Sequence, residues 1–166
     1  DGQAGSLADF LGEVPGDIAW VGLHDFRCRY LVTIPVECNW KTLIEGFSET
    51  YHVQGIHREM LPMCDDVNSP QHLWDLHGRL EQPYGLASPR LRRRPDDQGV
   101  WEAFVEVMGA RVGIDGRENA GPAPVVGPDE TLRDGIAARI REHGRSTGVD
   151  LGRFSTRQLL DMQQYN

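Results

Sequence analysis

The sequence has few cysteines, and none of them belongs to a cluster that could hold a metal. The three cysteines are Cys28, Cys38 and Cys64, and none of them forms a CxxC or CxH pair. A structural zinc site or a self-contained iron–sulfur cluster needs about four such ligands, so neither is predicted here. Unpaired thiols are also typical of a reducing compartment, which predicts a cytoplasmic protein.

Long apolar runs and an excess of basic residues are missing as well. No stretch approaches the roughly 20 apolar residues of a membrane-spanning helix, and the start, DGQAGSLADF, lacks the basic and apolar parts of a secretory signal. We therefore predict no membrane partner. The net charge of −8, from 25 acidic and 17 basic residues, predicts no nucleic-acid partner either, because binding to phosphates needs a basic surface.

The chain contains no GxGxxG, P-loop or GxSxG motif, which excludes common nucleotide-binding folds and serine hydrolases. The apolar pattern instead predicts an α+β fold, without the alternation of strands and helices that builds a parallel sheet. Helices are predicted beside four residues that favour helix starts: Ser6, Asn39, Pro128 and Ser155. Strands are predicted in three runs rich in β-branched or alternating apolar residues: 29–36, 72–82 and 100–112.

The helix that follows Asn39 carries the chemically most informative residues. Its apolar side chains recur every three or four residues from Trp40 to Tyr51. At about 100° per residue, Glu45, Glu49 and His52 fall along one line beside that apolar stripe. His57 follows five residues after His52, and Gly55 between them permits the helix to loosen, so that both imidazoles turn toward one ion.

Two neutral imidazoles on one ion leave room for a carboxylate and for open positions, the arrangement that suits non-haem Fe(II) and O₂ chemistry. Glu49 is then either the carboxylate ligand or a group that orients a ring and carries a proton or an electron. Three alternatives stay open at this point. The histidines are bonded to backbone carbonyls or to glutamates; they bind zinc in a hydrolase with Glu49 as general base; or the chain is a non-catalytic ligand-binding domain.

The run NWK followed by ExFxExYHxxxxH, residues 39–57, resembles the iron-binding helix of Rieske-type non-haem iron ring-hydroxylating oxygenases, in the catalytic domain of the α subunit. The resemblance implies that His52 and His57 are the two iron-ligating histidines. It places Glu49 where the family has an acidic residue that passes an electron from the neighbouring subunit's Rieske cluster. Gly46 departs from the Asn often found there.

The resemblance also implies a helix-grip-like fold, in which an antiparallel sheet wraps around a long helix. Family members have a Rieske domain before this region and an aspartate ligand well after it, so residues 1–166 are expected to be a partial catalytic domain, inactive by itself. The third ligand stays unassigned, although the local carboxylates of Asp65, Asp66 and Asp161 are available.

For the complete protein the family implies Fe(II), a 2Fe–2S Rieske cluster confined to the missing N-terminal domain, a reductase or ferredoxin as electron donor, and a homotrimer. The implied reaction is the O₂-dependent hydroxylation or oxidative demethylation of a small aromatic substrate.

Overall fold

The computed structural model describes residues 5–166, which contain seven α-helices and three β-strands. The predicted α+β class is therefore confirmed. None of these helices combines the length and the apolar character needed to cross a bilayer. The helices are α1 (Leu7–Leu11), α2 (Val14–Ile18), α3 (Trp40–Glu45), α4 (Tyr51–Ile56), α5 (Asp97–Met108), α6 (Leu132–Ser146) and α7 (Thr156–Leu160), and the strands are β1 (Gln71–Leu73), β2 (Gly78–Gln82) and β3 (Met162–Tyr165).

The three strands form one antiparallel sheet in the order β1-β2-β3. The predicted strand run 72–82 is a hairpin of β1 and β2, in which the backbone N–H of Trp74 donates to the carbonyl of His77 at 2.8 Å. Strand β3 pairs with the other edge of β2, with Leu80 opposite Gln164. The antiparallel sheet expected from the sequence is therefore present in the structure.

Helices α5 and α6 supply most of the hydrophobic core. Trp101 and Phe104 on α5 and Ile136 on α6 are fully buried. The rings of Trp101 and Phe104 are stacked with centroids 6.2 Å apart, and the indole N–H of Trp101 donates to the carbonyl of Ala120 at 3.0 Å. Each such side chain stabilises the fold by about 1.5–3 kcal/mol through burial, so this cluster is the main source of stability.

The strand predicted at 100–112 is wrong, because most of this run belongs to helix α5. The Asp96 carboxylate accepts a hydrogen bond from the backbone N–H of Gly99 at 2.9 Å and begins the helix. Trp101 and Phe104, three residues apart, then face the core together with their neighbours. The run therefore fits the helical period as well as the alternating one, and the N-cap decides between them.

The strand predicted at 29–36 is also wrong for the described part of the chain. These residues form no ladder with any strand among residues 5–166, and the side chains of Tyr30 and Leu31 are 87% and 89% exposed. A strand needs a neighbour for its backbone N–H and C=O groups. The sequence has the composition of a strand, but composition does not supply that neighbour.

The N-terminal helices lie beside the sheet, and a carboxylate of α2 bonds to two of its strands. Ser6 caps α1 as predicted, in a capping box with Asp9. Asp17 on α2 accepts hydrogen bonds from the guanidinium of Arg79 and, at 2.8 Å, from the hydroxyl of Tyr165. This contact joins α2 to strands β2 and β3.

Candidate metal centre

The predicted continuous helix through residues 40–51 is interrupted in the structure. Helix α3 begins as expected, with the Asn39 side chain accepting from the N–H of Lys41 at 2.9 Å, but it ends before Gly46. The Ser48 hydroxyl donates to the carbonyl of Ile44 at 3.2 Å, and α4 begins only after Thr50. Glycine favours helix ends and a back-bonding serine competes with helical hydrogen bonds, so the helix breaks at this point.

The predicted line of Glu45, Glu49 and His52 along one helix is wrong, because the helix is interrupted between Glu45 and Glu49. Glu45 belongs to α3 and is exposed, whereas Glu49 and His52 lie on the other side of the interruption. The helical spacing therefore does not relate Glu45 to His52. It survives only for Glu49, immediately before α4, and His52 in the first turn of α4.

Glu49 and His52 form a close pair. The Oε1 atom of Glu49 lies 2.8 Å from Nδ1 of His52, with both side chains more than two-thirds buried. The other carboxylate oxygen, Oε2, accepts from the backbone N–H groups of Tyr51 and, at 3.2 Å, of His52. The glutamate thus satisfies N–H groups at the start of α4 and holds the imidazole with the same carboxylate.

The pair fixes which nitrogen of His52 is available. Partial burial raises the pKa of Glu49, but the hydrogen bonds from the His52 ring and from the two backbone N–H groups outweigh it, so that the pKa lies below its ordinary value. The carboxylate is then ionised at neutral pH and can only accept. In the neutral imidazole Nδ1 therefore carries the proton, and Nε2 keeps its lone pair for a metal or another donor.

His57 stands beside this ring because α4 ends at Ile56. The backbone of His57 leaves the helical conformation, with φ −112° and ψ 48°. The rings of His52 and His57 are 5.6 Å apart between centroids and stand edge to face at 83°. Glu59 Oε1 lies 3.4 Å from Nδ1 of His57, on the more exposed side of the pair. The end of the helix, which Gly55 was predicted to permit, therefore brings the two imidazoles together.

The two rings are close enough for one metal ion to lie between them. With metal–nitrogen bonds of about 2.1 Å, two imidazoles on one ion have centroids roughly 5–6 Å apart, close to the 5.6 Å between His52 and His57. Between residues 5 and 166, however, no three His, Cys, Asp or Glu side chains are grouped closely enough to hold an ion. The described residues therefore bring together two imidazoles, with a carboxylate beside one of them.

The local carboxylates considered as a third ligand have other partners. Asp66 is fully buried and accepts from Arg90 Nε at 3.0 Å. Asp161 lies 2.6 Å from Arg133 Nη2. Asp65 accepts from the backbone N–H of Asn68 at 2.9 Å. Each of these carboxylates already has a structural partner.

Two further histidines, His72 and His77, lie in the β1–β2 hairpin, away from His52 and His57. His77 Nε2 is 2.8 Å from the carbonyl oxygen of Phe10, and the ring of His72 packs edge-on against Trp74 at 4.5 Å between centroids. They border an open cleft of about 500 Å³ between residues 9–13 and 72–77. Neither His52 nor His57 lines this cleft, so His72 and His77 lie outside the candidate metal centre.

Sequence reasoning missed Thr50 and its partner. The Thr50 hydroxyl donates to the backbone carbonyl of Asp66 at 2.8 Å, across a separation of sixteen residues. Threonine is common at helix starts, so Thr50 does not stand out in the sequence. Its acceptor is a backbone carbonyl, which every residue has, so the sequence does not identify it. Only the three-dimensional structure brings the two groups together.

A comparison with known families decides the relationship. The sequence profile of the family described as "Ring hydroxylating alpha subunit (catalytic domain)" matches residues 23–133, which include the whole His52–His57 segment and helix α5. The chain belongs to this family. Searches of curated proteins and of solved structures gave no match.

Membership in the ring-hydroxylating α-subunit family confirms the resemblance seen in the sequence. It assigns the chain to the catalytic part of an oxygenase, within the oxidoreductases. The family generally uses a mononuclear iron, works with a reductase or ferredoxin and forms oligomers. Among the alternatives that the residues alone left open, the family match favours the oxygenase.

Proposed function

We propose that this chain carries the mononuclear iron site of a ring-hydroxylating oxygenase, with His52 and His57 as two of the iron ligands. The observation that supports this most strongly is the 5.6 Å approach of the two rings, together with the 2.8 Å contact between His52 Nδ1 and Glu49. A metal-bound histidine commonly donates its other N–H to a carboxylate, which fixes the ring and raises its basicity. The Glu49–His52 pair has this form.

Fe(II) at this place would supply the redox chemistry that activates O₂. The chain's own contribution is to present two imidazoles and to keep the His52 ring in one tautomer. Glu49 accepts a hydrogen bond from the Nδ1–H group of His52, and its second oxygen accepts from backbone N–H groups. In the family relationship this glutamate is proposed to connect His52 with a histidine of a neighbouring subunit's Rieske cluster and so to carry the electron path.

The remaining parts of the reaction are proposed to come from outside the described residues. Among residues 5–166 no third ligand is grouped with the two histidines. The proposal follows the family resemblance, in which a carboxylate from another part of the polypeptide completes the site. The Rieske cluster, the reductase or ferredoxin and the trimeric assembly belong to the same proposal. The substrate proposed is a small aromatic compound, hydroxylated or oxidatively demethylated with O₂.

Metal binding by purified chain tests the proposal. We expect about one Fe(II) per chain after anaerobic loading, and we expect His52→Ala and His57→Ala each to lower the bound iron at least tenfold. His24→Ala is the matched control, because the His24 side chain is exposed and lies near Asp25, far from any group assigned to the proposed site in the sequence. Stoichiometric zinc in place of iron, or histidine variants that bind Fe(II) as tightly as the control, would overturn the assignment.

A further inference from the structure

Helix α4 carries the proposed ligand His52 but is weakly attached to the rest of the molecule. Of its six residues, only Val53 is buried. Thr50 is the residue just before α4, and its side chain makes no capping hydrogen bond to this helix. Its hydroxyl donates instead to the backbone carbonyl of Asp66, at 2.8 Å. This hydrogen bond therefore ties the start of α4 to a distant loop.

The acceptor loop is held firmly in place. The Asp66 side chain is fully buried and accepts from the Ser88 hydroxyl and from Arg90 Nε. Asp65 folds the same loop by accepting from the backbone N–H groups of Val67 and Asn68, at 3.0 and 2.9 Å. A buried and fully bonded carboxylate is costly to displace. The Asp66 carbonyl is thus a fixed point of the core.

Thr50 lies between the two members of the proposed metal-supporting pair. Glu49 precedes it directly, and His52 follows two residues later in the first turn of α4. Because Thr50 stands between them in the chain, a change in its backbone position would move Glu49 relative to His52 and would move the start of α4 relative to the core. Because ligand geometry must be held within about 0.5 Å for tight metal binding, the anchor of the turn matters for affinity.

We propose that Thr50 is a positioning residue of the iron site. Its hydroxyl, hydrogen-bonded to the Asp66 carbonyl, fixes the start of α4 on the core and so holds Glu49 and His52 in their metal-binding arrangement. This inference rests on the proposed function, since it requires that His52 bind the metal. It adds a residue that touches neither the metal nor its ligands' ring atoms.

The test is an anaerobic titration of the metal-free chain with Co(II) alone. Binding is monitored by the optical absorption of the bound ion. We expect Thr50→Val, which keeps the shape but removes the hydroxyl, to weaken Co(II) binding about tenfold, the lower end of the range for groups that orient metal ligands. Thr50→Ser restores the donor and should bind within about twofold of the unaltered chain. The matched control is Thr42→Val on α3, because the Thr42 hydroxyl makes no hydrogen bond within the described residues.

The results distinguish the positioning role of Thr50 from the proposed metal site. If the unaltered chain binds no Co(II), or if His52→Ala binds it equally well, the proposed metal site fails and the role of Thr50 fails with it. If His52→Ala loses binding while Thr50→Val keeps full affinity, the metal site stands and the positioning role is wrong. Equal losses in Thr50→Val and Thr50→Ser would also reject it, because the hydroxyl would not be the cause.

Discussion

Two parts of the molecule differ in how far their apolar side chains are buried. In residues 29–57, here called the ligand segment, Val53 is the only buried residue. In the core formed by α5, α6 and α7, Trp101, Phe104 and Leu160 are completely buried. Both parts are rich in large apolar side chains, but only the core packs them together. The exposed large side chains of the ligand segment are Tyr30, Leu31, Val32, Ile34, Val36, Trp40, Leu43, Ile44, Phe47, Tyr51 and Ile56.

The difference separates the residues that stabilise the fold from the residues of the proposed iron site. Burial of apolar surface supplies most of the folding free energy, so the core stabilises the chain. The ligand segment, which carries His52 and His57, is positioned by a few polar contacts, such as the hydrogen bond from Thr50 to Asp66. Substitutions in the two parts should therefore have different consequences.

Thiol reactivity should separate the two parts most strongly. Cys28 and Cys38 are exposed, whereas Cys64 is completely buried. Burial, assisted by the nearby carboxylates of Asp66 and Asp65, raises the pKa of Cys64 to about 12, and the thiolate is the reactive form. With about 5 kcal/mol or more of unfolding free energy, Cys64 should react with a disulfide reagent at least roughly a thousandfold more slowly than the other two.

The measurement is a time course of thiol labelling with mass-spectrometric assignment of the modified cysteine. In denaturant all three cysteines should react at similar rates, which serves as the internal control. Labelling of Cys64 in the folded chain at the rate of Cys28 would show that the core opens freely, and the distinction between the two parts would not hold.

A matched pair of leucines gives the next largest effect. Leu160 is 0% exposed and Leu31 is 89% exposed. Leu160→Ala should lower the free energy of unfolding by about 2–5 kcal/mol, through lost burial and the cavity left behind. Leu31→Ala should change it by less than about 0.5 kcal/mol, as surface substitutions generally do.

Urea unfolding followed by circular dichroism measures both variants against the unaltered chain. Comparable losses for the two leucines would mean that residue 31 is packed in solution, contrary to its exposure in the structure.

Much of the fold could be predicted from local signals. The caps of α1 by Ser6, of α3 by Asn39 and of α7 by Ser155 are all present, because a cap is a contact between residues two or three positions apart. In the run 72–82 the alternation predicts one strand, and the structure has two strands there, β1 and β2, paired as a hairpin. Local hydrogen bonds and alternation are written directly in the sequence.

The errors have a common physical cause. For 100–112 the apolar pattern satisfies both the strand period and the helix period, and the Asp96 cap, which lies outside the run, selects the helix. For 29–36 the backbone needs a strand to pair with, and a sequence pattern cannot supply one. In both cases something outside the apolar pattern of the run determines its conformation.

The candidate site shows the same division. His52, His57 and Glu49 were named from their spacing within one segment, and the structure brings their side chains together. Thr50 was missed because its partner, the carbonyl of Asp66, is remote in sequence and carries no side-chain signature. A resemblance to a family identifies the residues of a motif but not the contacts that hold the motif in place.

The smallest effect is expected for the Glu49–His52 pair, which should contribute little to stability although it is central to the proposed site. Glu49→Gln removes the ionised group that accepts a hydrogen bond from His52, and it should lower the unfolding free energy by about 1 kcal/mol at neutral pH.

The contribution of Glu49 to stability should also depend on pH. Because the folded-state pKa of Glu49 lies below its ordinary value of 4.5, the carboxylate stabilises the fold fully above that value. The contribution is lost as the pH falls through the folded-state pKa. The stability difference between the unaltered chain and Glu49→Gln should therefore shrink as the pH falls below about 4.5, as measured by urea unfolding at each pH. Glu45→Gln, at an exposed position on α3, should differ from the unaltered chain by less than about 0.5 kcal/mol at neutral pH. A Glu49→Gln difference that stays constant down to pH 3 would show that the carboxylate is not held by His52 and the start of α4, and the ligand segment would then lack the contact on which its proposed chemistry depends.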